Sequence, residues 1–182
     1  MNDTTAPQKS HFSPVNAYGE THYENPDGIK DATFCNFQHL YAKNTRFENC
    51  FFADCAQITA EHCEMVNCTF HNVNAVTGDH TDFLNGTFEQ CCSTGPLLTI
   101  DSQGRVEDCT FDTITTLGED GYVIDAAYRR KEDVEYISGC RFWDCNVETE
   151  DGKLCSCCYF RPFSSYAAIP IDNVDYETCE GV

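Results

Sequence analysis

Asp125, Arg129 and Lys131 are the best local set of residues for acid/base chemistry in this sequence, and they lie in the segment 116–135. A carboxylate of this kind can hold calcium or protonate a glycosidic oxygen, and a nearby Arg or Lys can remove a proton or stabilise charge. The alternative is a solvated loop whose charges compensate one another. Other acids, such as Asp54, Asp112 and Asp144, form no obvious paired site.

The chain has 14 cysteines among 182 residues, a density that raises three alternatives: interior packing, metal binding and disulfides. Most of them exchange with apolar residues or Gly at matching positions, which favours interior packing. Cys92, Cys155, Cys157 and Cys179 fall outside that pattern and are candidates for metal binding or pairing. A zinc site needs four converging ligands, and neither Cys155-Ser-Cys157-Cys158 nor the scattered histidines His39, His62, His71 and His80 supply them. We therefore predict no metal site and no cofactor.

The cysteines belong to an internal repeat in which a Phe follows a small residue by two positions. Six of the seven copies have Cys as the small residue, and Gly86 replaces it in the fourth. The phenylalanines are Phe37, Phe52, Phe70, Phe88, Phe111, Phe142 and Phe160. The interval that recurs between them is about 18 residues, which is the length of the repeat unit. The first interval is shorter, and the intervals on either side of Phe111 are longer because they contain insertions.

Two further columns of the repeat are apolar. Three residues after each Phe come Leu40, Cys55, Val73, Cys91, Ile114, Cys145 and Phe163. Five residues before it come Ala32, Phe47, Met65, Phe83, Val106, Ile137 and Cys155. Three residues before it, five copies have types that tolerate a left-handed backbone: Asn49, Asn67, Asn85, Asp108 and Gly139. This pattern fits neither a helix nor a simple alternating strand, and it predicts a coil of short strands with inward ladders of like side chains.

The strings FENCFF, MVNCTF, VEDCTF and ISGCRF resemble the repeats of right-handed parallel β-helix proteins, the pectate-lyase-like superfold, with similarity to polymorphic outer-membrane protein repeats. The five-residue register Cys35, Leu40, Thr45, Cys50, Cys55, Ala60 is also similar to that of pentapeptide-repeat proteins. The resemblance implies an all-β, right-handed parallel β-helix of about seven rungs with irregular caps. Such folds host lyases, hydrolases, adhesins and binding modules alike.

We predict three regions: a polar N-terminal arm or cap at 1–30, the repeat domain at 31–163 and an acidic C-terminal cap at 164–182. The caps are expected because an open coil end leaves unpaired strand edges, which are also a route to oligomerisation. The formal net charge of −19 argues against direct binding of nucleic acid or of an anionic membrane. Without an apolar span or a signal peptide in the given chain, we expect a cytoplasmic location.

The favoured function is a non-enzymatic interaction or structural module, with a protein or glycan as its partner. One alternative is a polysaccharide lyase or hydrolase, as the resemblance implies. Another is an acidic DNA mimic in the manner of pentapeptide-repeat proteins, because about 30 Å of duplex carries about 17 phosphate charges, close to the charge of this chain. Carboxylates just after the Phe occur in only four copies: Asp54, Glu89, Asp112 and Asp144.

Overall fold

The chain is an all-β solenoid in which every strand pairs in parallel with the equivalent strand of the next turn. The structure, a computed structural model, describes residues 10–13, 20–100, 103–118, 121–127, 136–147, 158–161, 171–172, 175–177 and 180–181. These residues contain no helix, and therefore none that could cross a membrane. The predicted all-β parallel fold is confirmed.

Two sheets, A and B, form two sides of the coil. Sheet A has eight strands: Ser10–Phe12, Ala32–Cys35, Phe51–Ala53, Thr69–His71, Thr87–Glu89, Thr110–Asp112, Arg141–Trp143 and Asp175–Glu177. Sheet B has seven: Glu20–Glu24, His39–Lys43, Ile58–Glu61, Val76–Asp79, Leu98–Ile100, Ile124–Ala127 and Cys158–Arg161.

Sheet C forms the third side, and a smaller sheet D lies between A and B in the later turns. Sheet C has seven strands: Ile29–Lys30, Arg46–Glu48, Glu64–Val66, Asp82–Leu84, Arg105–Glu107, Tyr136–Ser138 and Ile171–Asp172. Sheet D has four: Cys92–Ser93, Thr115–Thr116, Asn146–Val147 and Glu180–Gly181. Sheet D begins within the first of the long intervals, where the added residues widen the coil.

The sequence produces this coil because its inward positions are spaced by either two or three residues. One turn places the following residues inside: Phe47, Cys50, Phe52, Cys55, Ile58, Ala60, Cys63 and Met65. A step of two is a strand segment, whose alternate side chains share a face. Three of the steps of three contain a residue with positive φ, namely Asn49 (56°), Asp54 (53°) and His62 (52°). These left-handed residues turn the chain from one sheet to the next.

The Phe column forms the centre of the core, as predicted for its five middle members. The stacked rings are Phe12, Phe34, Phe52, Phe70, Phe88, Phe111 and Phe142, with successive centroids 4.4 to 5.1 Å apart and planes within 13° of parallel. All except Phe12 are fully buried. In-register parallel strands impose this spacing.

The predicted Phe column was wrong at both ends, where Phe37 and Phe160 do not belong to it. Phe34 occupies the column in place of Phe37, which is buried at the next corner, where its carbonyl accepts a bond from Ala56 in the turn above. Phe160 pairs with Ala126 in sheet B, whereas Phe142 pairs with Tyr176. The Cys-x-Phe motif misleads here because it also occurs outside the Phe column. Cys35-Asn36-Phe37 crosses a corner, with Asn36 at positive φ, and Cys158–Arg161 is a strand of sheet B.

Some end members of the other predicted columns are also assigned to the wrong position. Leu40 pairs with Ile58 in sheet B, and Ile29, not Ala32, pairs with Phe47 in sheet C. At the far end Ile137 pairs with Ile171, while Cys155 and Phe163 lie outside the described residues.

Cys35 and Cys158 also depart from the predicted cysteine column. Cys35 is outward and half-buried beside Phe34 and pairs with Ala53. Cys158 pairs with Ile124 in sheet B.

The predicted bend column is confirmed as the corner between sheets C and A. Positive φ values occur at Asp31, Asn49, Asn67, Asn85, Asp108 and Gly139. On the outside of this corner the side chains form a hydrogen-bonded ladder. Nδ2 of Asn85 donates to Oδ1 of Asn67 (2.7 Å), Asn67 donates to Asn49 (3.1 Å) and Asn49 to Asp31 (3.2 Å).

From Ile29 to Ile137 the chain winds about five times, fewer than the seven rungs predicted, and strands on either side bring the largest sheet to eight. The segment predicted as an N-terminal arm contributes Ser10–Phe12, Glu20–Glu24 and Ile29–Lys30 to three sheets. The boundaries at 1–30, 31–163 and 164–182 stay predictions.

The Phe column predicts that substitutions on the inner face of sheet A cost much more stability than substitutions on its outer face. Phe70→Ala should lower the free energy of unfolding by about 3–5 kcal/mol, because the rings above and below cannot close the cavity without breaking strand register. Thr69→Ala, on the outer face of the same strand, should cost less than about 1 kcal/mol. Urea denaturation of both variants checks this, and equal losses would contradict an inward Phe column.

Candidate functional site

Asp125, the carboxylate of the predicted acid/base set, lies on the outer side of sheet B. It pairs in register with Thr99 and Tyr159, and only 8% of its surface is exposed. Arg129 and Lys131 lie outside the described residues. The set of three therefore stays a prediction.

A shallow groove of about 570 Å³ lies along the corner between sheets B and C. Its lining combines both charge signs with amides and imidazoles: Pro26, Asn44, Thr45, Arg46, His62, Cys63, Glu64, His80, Asp82 and Gln103. Most of these residues lie one turn apart in the same few columns. The groove is therefore a product of the repeat itself.

His62 and His80 lie next to each other at this corner because they follow Glu61 and Asp79, which are register partners in successive turns of sheet B. Both histidines have positive φ, at 52° and 51°, and their ring centroids are 4.7 Å apart. Nδ1 of His80 is 2.5 Å from Oδ1 of Asp79, and Nε2 of His62 is 3.9 Å from Oε1 of Glu61. The pair thus places two imidazoles side by side above a row of carboxylates.

On the other wall of the groove the acids are paired with arginines. Nη1 of Arg46 contacts Glu64, and Arg105 donates from Nε (3.1 Å) and Nη2 (2.5 Å) to Oδ2 of Asp82. The hydrogen bond to Glu64 raises the pKa of Arg46, and that to Asp82 raises the pKa of Arg105. Each bond joins neighbouring turns, because Arg46, Glu64, Asp82 and Arg105 are consecutive members of one column.

Thr45 and Cys63 lie at the floor of the groove, and Thr81 continues their inward column in the next turn. Thr81 is fully buried and uses its hydroxyl in three ways. It donates to the carbonyls of Ala60 (3.0 Å) and Asp79 (3.1 Å), and it accepts from the backbone N–H of Cys63 (3.2 Å). The hydroxyl of Thr81 is therefore fully hydrogen-bonded at a position that follows the left-handed residue His80.

Cysteine fills the same kind of position at the other corners. Buried thiols follow left-handed residues at Cys50, Cys55, Cys63, Cys68, Cys91, Cys109, Cys140 and Cys145. Several donate to the carbonyl two residues earlier, as Cys55 does to Ala53 (3.3 Å) and Cys91 to Glu89 (3.4 Å). Of the four cysteines singled out by sequence, Cys92 is exposed in sheet D, and Cys155, Cys157 and Cys179 lie outside the described residues.

The carboxylates considered for DNA mimicry lie along sheet A and its corner with sheet B. Glu89 and Asp112 are register partners, and the next position in their column is Trp143, with 41% of its surface exposed. Asp54 and Asp144 occupy left-handed corner positions. In the part of the chain that the structure describes, this acidic column is therefore two residues long before an aromatic residue interrupts it.

Within the described ranges, no group of three or more His, Cys, Asp or Glu side chains could hold a metal ion. No protein-family model matches the chain, and no curated protein matches it at a significant level. Its class is therefore defined by its structure: a parallel β-solenoid with a polar groove along one corner.

The groove could not be found from motifs of residues close in sequence, although its spacing is visible in the repeat. His62 and His80, and likewise Glu64 and Asp82, are separated by the repeat length itself. Taken singly, the scattered histidines predict exposed polar residues. His62 is exposed, whereas His39, His71 and His80 are half-buried.

The hydrogen bonds of Thr81 predict that its hydroxyl contributes to stability. Thr81→Val keeps the shape but leaves the buried N–H of Cys63 without its acceptor, so the free energy of unfolding should fall by about 1–3 kcal/mol. Thr77→Val, on the outer face of sheet B, should change it by no more than about 0.5 kcal/mol. Thermal and urea unfolding of the two variants measure the difference, and a neutral Thr81→Val would show that the hydroxyl is dispensable.

Proposed function

We propose that this chain is a non-catalytic interaction module of the right-handed parallel β-helix type, which binds its partner in the groove between sheets B and C. The observation that carries the proposal is the pairing of Arg46 with Glu64 and of Arg105 with Asp82. These four side chains hold one another in place and form a fixed pattern of donors and acceptors. A pattern fixed before binding reduces the entropy lost on association.

The pairing favours binding over catalysis. A general acid must carry a proton that it can give to the leaving group, and a general base must have a lone pair available for a substrate proton. Glu64 and Asp82 each accept hydrogen bonds from an arginine of a neighbouring turn. Their role in the groove is therefore to orient arginine N–H groups and to accept hydrogen bonds.

The partner that best fits this groove is polar and uncharged, such as a neutral glycan. Guanidinium, imidazole and amide groups recognise hydroxyl and amide groups through hydrogen bonds. The groove's own charges are largely compensated, and the chain's net charge of −19 opposes polyanions. An exposed polypeptide segment with Ser, Thr, Asn or Gln side chains presents the same chemistry.

Glycan cleavage is the second candidate, favoured by one feature of the same groove. Glu64 and Asp82 are register partners on adjacent strands, with Arg46 and two histidines beside them. Retaining glycosidases use two carboxyl groups about 5–5.5 Å apart, a separation close to one strand spacing. Cleavage would require one of the two acids to leave its arginine and take up a proton.

We expect calorimetric titration against neutral and anionic oligosaccharides, with and without calcium, to detect binding of neutral glycans without a calcium requirement. Arg46→Gln and Asp82→Asn should weaken that binding, because each removes one member of a pair that shapes the groove. Arg141→Gln removes the same charge from the outer face of sheet A and should leave the affinity unchanged.

Product analysis of the same mixtures separates the two candidates. Intact oligosaccharides after long incubation support a binding module, whereas shortened chains that disappear in Glu64→Gln would establish cleavage. If no glycan binds, a pull-down from cell extract with wild type and Arg46→Gln tests a protein partner. Equal capture by both proteins would rule out the groove as the contact surface.

A further inference from the structure

Two pairs of cysteines lie in register inside the corner between sheets C and A. The inward column at this corner reads Ala32, Cys50, Cys68, Gly86, Cys109 and Cys140. Gly86 divides it into two pairs of neighbouring thiols. Cys50 and Cys68 are 2% and 1% exposed, and Cys109 and Cys140 are fully buried.

The backbone fixes each pair at the spacing of one turn. The N–H of Thr69 donates to the carbonyl of Cys50 (2.9 Å), and the N–H of Arg141 donates to that of Cys109 (2.9 Å). Parallel Cβ positions about 4.8 Å apart are wider than the Cβ separation of about 3.5–4.5 Å that a disulfide needs. The columns therefore hold thiols close together without favouring oxidation.

The same spacing suits a metal ion held between two sulfurs. With the metal–thiolate bond length of about 2.3 Å that zinc shows, two bonds in a line span about 4.6 Å, close to one strand spacing. Thiolates select soft ions such as Cu(I). Zinc prefers four ligands, and the surrounding column offers only two thiols per pair.

We propose that Cys50 with Cys68, and Cys109 with Cys140, form two-coordinate sites for a soft monovalent metal ion such as Cu(I). Binding breaks two S–H bonds, forms two metal–sulfur bonds and releases two protons to solvent, with no change in oxidation state. Each filled site carries one negative charge. This inference is independent of the proposed function of the groove.

The two sulfurs of each pair lie within reach of one another. The Cys68 thiol donates a hydrogen bond to the Cys50 sulfur, and the Cys109 thiol donates one to the Cys140 sulfur. The N–H of Gly86 also donates to Sγ of Cys109 (3.4 Å), which helps to stabilise negative charge there.

At the first pair, loss of the S–H protons leaves the two nearest corner carbonyls paired. Sγ of Cys50 lies 3.5 Å from the carbonyl oxygen of Glu48, and Sγ of Cys68 lies 3.5 Å from that of Val66. Those two carbonyls also accept the N–H groups of Asp31 (3.0 Å) and Asn49 (3.0 Å) in the strand ladder. The thiol bond is a second bond in each case, so metal binding keeps the fold intact.

The chain provides a matched control in Cys63. It is equally buried after a left-handed residue, but its column neighbours are Thr45 and Thr81, so it has no thiol one turn away. Serine is a suitable replacement at all these positions, because the hydroxyls of Thr45 and Thr81 already occupy the equivalent place at the groove corner.

The test is an anaerobic Cu(I) titration of the full chain in competition with a chromogenic Cu(I) chelator, with circular dichroism to verify folding. Cys50→Ser and Cys68→Ser should each lose one tightly bound equivalent relative to wild type. The double variant should lose the same single equivalent, because both thiols hold one ion. Cys63→Ser should lose none.

Several outcomes would overturn the proposal. These are a loss in Cys63→Ser equal to that in Cys50→Ser, a loss of two equivalents in the double variant, and no loss in either single variant. Displacement of Cu(I) by equimolar Zn²⁺ would contradict the two-coordinate geometry. Recovery of a peptide with Cys50 linked to Cys68 from aerobically purified protein would show that the pair forms a disulfide instead.

Discussion

The structure depends on one constraint: successive turns hydrogen-bond in register, so each inward side chain must fit the residues directly above and below it. The Phe column satisfies this constraint by parallel stacking, with centroids 4.4 to 5.1 Å apart. At the corners the inward residues vary in size, and buried Cys or Thr is common among them. The surface has the same order, since the groove and the charged residues Arg46, Glu64, Asp82 and Arg105 form columns as well.

The sequence predicted the fold well where turns have a constant length and poorly where they do not. Phe52, Phe70 and Phe88 follow one another at the repeat length, and their alignment identified the column correctly. Phe37 was misplaced because Cys35-Asn36-Phe37 copies the motif while Asn36 is itself a left-handed corner residue, with φ 63°. The interval from Phe37 to Phe52 is shorter than one turn, which indicates in the sequence that Phe37 lies outside the column.

The functional surface was harder to predict, because adjacency across turns is invisible to motifs defined along the chain. The predicted acid/base set, Asp125, Arg129 and Lys131, consists of residues that are close in sequence. The groove instead combines His62 with His80 and Glu64 with Asp82, which become neighbours only when the chain is wound at its repeat length. In a solenoid, the spacing that brings chemical groups together is the length of the turn, and insertions change it from place to place.

The asparagine ladder outside the corner between sheets C and A has a polarity. Each amide donates its hydrogen bond to the residue in the preceding turn, Asn85 to Asn67 and Asn67 to Asn49. The last bond of the ladder goes from Asn49 to the carboxylate of Asp31. At the other end, the carboxylate of Asp108 has no hydrogen-bond donor to offer Asn85. The interior positions of the ladder therefore require an amide, which both donates and accepts, whereas an acid fits only at either end. The chain follows this order, with Asn49, Asn67 and Asn85 between Asp31 and Asp108.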